Sequence, residues 1–183
     1  MKTLLELLKN NEDQALDFEE IQVILGNRCK NLHVKYTDLE SLKNQYTLAD
    51  ILPSHVNAAI VLLTARLNSS VNRHWVTIMK HQNGKLSFYD PLRLGPHVLS
   101  SYMKDNGYFA RFIRQNRIDV NKQKHQRNAS MIKTCGLHAC SRLVAFATQD
   151  LTNSQYHHWL TSVNMNPDEL VTLLTFIGHI SVQ

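Results

Sequence analysis

Two β-rich runs on either side of a turn dipeptide constrain this chain more than any other feature. "HWVTIMKH" (74–81) and "KLSFYD" (85–90) flank Asn83-Gly84. Asn-Gly supplies the positive φ angles that a tight hairpin turn needs, so the two runs read as paired strands. A hairpin folded there brings its outer ends together. His74, nine residues before Asn83, and Asp90, six after Gly84, become neighbours within a few residues of register. Upstream, "AAIVLLTARL" (58–67) is a continuous apolar run that suits a buried strand.

The rest of the pattern is helical. Residues 2–25 read as two short amphipathic helices, the second in "DFEEIQVIL", and "DLESLKNQYTLAD" (38–50) as a helix followed by a turn. "NPDELVTLLTFIGHI" offers Asn166 as N-cap, Pro167 at the first helical position, acids in the first turn and Gly178 as a stop. Strands and helices without repeats or low-complexity linkers indicate an α+β chain. At 183 residues and 43% hydrophobic, residues 1–183 suffice for one domain, with 1–35 as a helical lead-in.

"CGLHACSRLVAFATQ" (135–149) sets Leu137, Cys140, Val144 and Ala147 on one face, with Ala139, Leu143 and Phe146 close by. This is a helix buried around much of its circumference. Cys135 falls at its N-terminal end, where unpaired N–H groups and the helix dipole favour a thiolate. Cys140 falls further in, as a small buried hydrophobe. Three readings are open for the stretch: a metal site, ordinary packing, or the seat of a nucleophile. A metal site from Cys135, His138 and Cys140 is disfavoured, because Cys135 and Cys140 lie about 140° apart on a helix and no second cysteine pair exists. A nucleophile needs a base. The hairpin supplies His74 for that, with Asp90 to hold its tautomer and stabilise the imidazolium.

Composition limits the setting. No run approaches 18 uninterrupted apolar residues, so no membrane span is expected. The first twenty residues turn acidic soon after a short apolar stretch and lack a small-residue cleavage site, so the chain is not expected to be secreted. Three cysteines, an odd number, argue against a disulfide framework and for free thiols. Of the net charge of +5, the segment 104–133 carries +6 and the remainder −1. Such a band, with Arg111, Arg114, Arg117, Lys122 and Lys124, suits a polyanion, although a solvated loop surface explains it equally well. His97, His125 and the "HHW" at 157–159 have no partner in the sequence that singles them out.

"HWVTIMKHQNGKLSFYDPLRLGP", followed some sixty residues after His74 by "TCGLHAC", resembles the adenovirus-protease-like cysteine proteases, of the same broad clan as the SUMO-deconjugating proteases. The lead-in "YTDLESLKNQYTLADILPSHVNAAIVLL" is similar to that of proteases from large DNA viruses, virophages and Polinton-type elements, so the resemblance runs from about Tyr36 to Phe146. It implies a permuted papain-like fold: a central mixed β-sheet, with the nucleophile at the N-terminus of a buried helix. It makes Cys135 the nucleophile, His74 the general base and Asp90 its orienter, with Trp75 and Gly136 beside the substrate. The family's oxyanion Gln corresponds to Gln126, nine residues before Cys135 and so two or three further than usual, with Asn128 at seven as the alternative. Arg73 stands where a Gly often precedes His-Trp.

The resemblance further implies processing of viral capsid precursors during virion maturation, with small residues, commonly Gly, beside the scissile bond. It places the chain in the virion and the host cell, in the nucleus or a cytoplasmic virus factory. No cofactor is required by the sequence. DNA and a viral peptide are candidate activators, with Cys29 or Cys140 as a peptide anchor. A monomer is expected. Two other functions use the same features: a SUMO- or ubiquitin-like isopeptidase with the same triad, and a non-enzymatic nucleic-acid-binding protein built on the basic band.

Overall fold

In chain order the elements are α1 (Phe18–Gly26), β1 (Val34–Asp38), a 3-10 turn (Glu40–Leu42), α2 (Leu48–Ile51), β2 (Ala58–Leu67), β3 (Ser70–Lys80), β4 (Leu86–Tyr89), α3 (Pro96–Met103), α4 (Tyr108–Gln115), β5 (Asp119–Val120), α5 (Cys135–Gln149), α6 (Asn153–Ser162) and α7 (Pro167–Ile180). The computed structural model describes residues 15–26, 28–29, 32–43, 45–67, 70–128 and 132–180. The helix expected at the very start of the chain lies outside them.

The five strands form one mixed sheet in the order β1-β2-β3-β4-β5. β1 lies parallel to β2, β2 and β3 are antiparallel, β3 and β4 form the expected hairpin, and β5 lies parallel to β4. Gly84 takes φ +79° in the turn and its N–H donates to the His81 carbonyl at 2.9 Å. β2 sends Ala58, Ile60 and Leu62 into one apolar cluster and Ala59, Val61 and Leu63 into another. β3 splits likewise, with Trp75 and Met79 on one side and Val76 and Ile78 on the other. This period of two on a sheet covered on both faces explains why β2 reads as an unbroken apolar run. Helices α1, α5, α6 and α7 cover the first face, and α2, α3 and α4 the second.

Several boundaries depart from expectation. β3 begins at Ser70, not His74, and pairs with β2 from Leu67↔Ser70 to Ala58↔Met79. The helix followed by a turn expected within 38–50 is replaced by the end of β1, the 3-10 turn and the short α2. Asp38 accepts the Glu40 N–H, Ser41 donates back to the Asp38 carbonyl, and Lys43 turns left-handed at φ 47°, so local side-chain bonds displace helical ones. Gly178 does not stop α7, which runs on to Ile180. Among the described residues, no helix is long and apolar enough to cross a membrane.

Candidate active site

Unequal strand lengths create the site. β4 pairs with β3 only from Lys80↔Leu86 to Thr77↔Tyr89. Beyond Thr77, no strand among the described residues pairs with β3 on that edge, where His74 and Trp75 lie, and Asp90 emerges beside them as the chain leaves β4. His74 Nε2 lies 2.6 Å from Asp90 Oδ1, with the His74 side chain 14% exposed and Asp90 buried. The N-terminus of α5 docks on this edge, so the Cys135 thiol meets the imidazole and the backbone N–H groups of Trp75 and Gly136. With Nε2 committed to Asp90, Nδ1 is the ring nitrogen left for sulfur.

The electrostatics favour a charged pair. Burial works against an imidazolium at His74, but hydrogen bonds and opposite charge from Asp90 and Cys135 outweigh it and lift its pKa to about 10. Burial likewise pushes the Cys135 thiol up, yet His74 and the two backbone N–H groups bring it below the ordinary thiol value. The other two cysteines go the opposite way. Burial raises Cys29 to about 11 and Cys140 further still. All three are free and buried, but Cys135 is the one favoured as a thiolate.

Asp90 is held by more than His74. Its Oδ1 accepts the Leu92 N–H at 2.9 Å and its Oδ2 the Leu94 N–H at 2.7 Å. Asn121 clamps the backbone of the same residue: Oδ1 accepts the Asp90 N–H at 2.9 Å and Nδ2 donates to the Asp90 carbonyl at 2.8 Å. The sequence reading missed Asn121, because a lone Asn in a basic loop carries no local signal and its partner is thirty-one residues away.

Gln126 and Asn128 part company. Gln126 is buried, its N–H donates to the Pro91 carbonyl at 3.0 Å and its Nε2 donates to the Ile132 carbonyl at 3.3 Å, three residues before Cys135. Its Oε1 is buried and has no hydrogen-bond partner among the described residues. Asn128 is exposed. Trp75 is buried, packs edge-on against Phe18 at 4.8 Å, and donates its indole N–H to the Leu16 carbonyl at 2.9 Å. A Cβ at Gly136 would lie 3.0 Å from Leu16 Cβ, so the glycine makes room for the chain's own lead-in segment.

The basic residues are at the surface. Arg111 and Arg114 project from α4, and Arg117, Lys122 and Lys124 follow it, all exposed. Asp105, one of the two acids of the band, is buried and caps α4 by accepting the Tyr108 and Phe109 N–H groups. His138 is turned away from Cys135 towards Asp168 and Tyr89. His125 and His157, unremarkable in the sequence, stack at 5.2 Å and share a hydrogen bond of 2.9 Å.

No family model matches the chain, and no curated protein sequence matches it. Among solved structures, it superposes on the crystal structure of the ASFV pS273R protease with a TM-score of 0.51 at 13% identity, over 90% of this chain and 67% of that one. The chain therefore shares that protease's fold. Looser superpositions are found with ChlaDub1 from Chlamydia trachomatis (TM-score 0.45, 14% identity, 98% and 79% coverage) and with HopZ1a in complex with IP6 (0.47, 14%, 86% and 56%).

Proposed function

We propose that the chain is a cysteine endopeptidase with Cys135 as nucleophile, His74 as general acid–base and Asp90 as its orienter. The observation that carries this reading is the 2.6 Å His74–Asp90 bond set against a thiol at the start of α5. The Cys135 thiolate attacks the scissile carbonyl carbon. The resulting oxyanion is received by the Cys135 backbone N–H and the Gln126 side-chain amide, each such donor accounting for about 100-fold or more in turnover. Protonated His74 gives its Nδ1 proton to the departing amine as the C–N bond breaks, leaving a thioester. Water, deprotonated by His74, then releases the acid and restores the pair.

The substrates proposed are capsid precursors of a DNA virus, cleaved beside small residues in the virion or the infected cell, with DNA on the Arg111–Lys124 surface as an activator. The shared fold with a viral protease and the exposed basic surface support this.

Limiting iodoacetamide near pH 6, followed by peptide mapping, tests the pair. Cys135 is expected to label about 100-fold faster than Cys29 and Cys140, since an ordinary thiol is almost wholly protonated there. His74→Ala should abolish the preference. Equal, slow labelling of all three thiols, with and without added DNA, would end the protease reading. Cleavage confined to conjugates ending in Gly-Gly would redirect it to an isopeptidase.

A further inference from the structure

Asp168 is fully buried at the start of α7, yet its carboxylate does not cap that helix, because Asn166 Oδ1 already accepts the Asp168 N–H at 2.9 Å. Instead it accepts four hydrogen bonds from elsewhere. Thr134 Oγ1 and His138 Nε2 donate to Oδ1 at 2.5 and 3.0 Å, and the Arg127 N–H and Nε donate to Oδ2 at 3.0 and 2.9 Å. Thr134 immediately precedes Cys135, and Arg127 immediately follows Gln126. One carboxylate thus spans the two segments that would carry the nucleophile and the oxyanion donor.

The other side of Gln126 is fixed as well. His125 donates its N–H to the Pro91 carbonyl at 2.9 Å, and its ring is held between Tyr89 Oη at 3.0 Å and His157 Nδ1 at 2.9 Å. Burial opposes ionisation of Asp168, but the bonds from His138 and Thr134 outweigh it and bring its pKa to about 2, so the anchor is anionic at neutral pH. Burial keeps His138 neutral, which leaves it a donor through Nε2.

We propose that Asp168 is a positioning residue that sets the Gln126 amide relative to Cys135 by tying Arg127 to Thr134. The inference rests on the protease reading of Cys135 and Gln126. Asp168→Asn keeps the shape but removes the negative charge from all four bonds, and its NH2 group, which can face only the Thr134 hydroxyl and His138, replaces an acceptor there, so the tie between Arg127 and Thr134 is weakened. A displaced oxyanion donor slows only reactions that pass through an oxyanion.

Two reactions of the same thiol separate the roles. Alkylation by iodoacetamide is a displacement at a saturated carbon and forms no oxyanion. Acylation by N-acetylglycine p-nitrophenyl ester forms a tetrahedral one and releases p-nitrophenolate. In Asp168→Asn, Cys135 alkylation is expected to stay within about 2-fold of the original chain, while kcat for the ester falls about 10- to 100-fold at unchanged KM. In a Gln126→Ala background, adding Asp168→Asn should change ester turnover by less than about 2-fold, because the residue acts through the amide. Should Asp168→Asn fail to fold, Thr134→Val cuts one tether alone and is expected to show the same split. Equal losses in both reactions, no loss in acylation, or full additivity with Gln126→Ala would overturn the positioning role. Ester turnover in the original chain no faster than in Cys135→Ala would instead remove the protease reading, and this inference with it.

Discussion

At the scale of single residues, the site is governed by opposed pKa shifts on two groups in contact. The cysteine is brought below its ordinary value and His74 is lifted to about 10, so the thiolate–imidazolium pair spans the interval between them. Ester turnover should therefore rise on the acid side with the depressed thiol pKa and fall on the alkaline side near pH 10, as His74 loses its proton. Asp90→Asn removes a contributor that lifts His74 and should move the alkaline limb down by about one pH unit or more, read from kcat/KM against pH. The stability linkage has a defined sign. A raised His74 pKa contributes stability that is complete below about pH 6.5 and is lost as the pH climbs through about 10.

At the scale of elements, the site depends on where strands stop. Because β4 ends at Tyr89 while β3 reaches back to Ser70, an open strand edge receives the N-terminus of α5. The segment after β5 then hooks onto the end of β4 through Asn121, which satisfies both backbone polar groups of Asp90. Asn121→Ala would leave the buried Asp90 N–H without its acceptor, while the Asp90 carbonyl keeps the Arg93 N–H at 3.0 Å. It should cost about 1–3 kcal/mol in chemical denaturation and lower turnover by loosening Asp90. Unchanged stability would mean that water replaces the clamp. Some element boundaries are marked locally. Thr152 and Gln155 form the capping box that starts α6, a T-x-x-Q spacing that the sequence itself carries. The short β1 and α2 were less accessible, because four or five residues carry too little periodicity to separate strand, turn and helix.

At the scale of the whole molecule, the chain is a sheet with helices on both faces, and Arg111 and Arg114 of the basic band lie on α4, which covers the face opposite α5. DNA bound to Arg111, Arg114, Arg117, Lys122 and Lys124 would contact phosphates, so affinity should fall steeply with salt. Replacing Lys122 and Lys124 by Ala should reduce the slope of log K against log salt by about 1 for each lost phosphate contact, as measured by fluorescence anisotropy on duplex DNA. An unchanged slope would place any DNA contact elsewhere, and no salt-dependent binding would leave the band as a solvated surface.

Short-range chemistry was readable in the sequence alone. The Asn83-Gly84 turn, the apolar β2, the helix beginning at Cys135, and the nearness of His74 to Asp90 all follow from local spacing. Turn geometry and side-chain periodicity act over a few residues. Only the tertiary structure decided the rest: that Gln126 is buried where Asn128 is exposed, that Asn121 grips Asp90, and that Asp168 joins Arg127 to Thr134. Those bonds join residues from about thirty to about forty positions apart. Which buried donor meets which acceptor over such a span is determined by how the elements pack, and no local pattern records it.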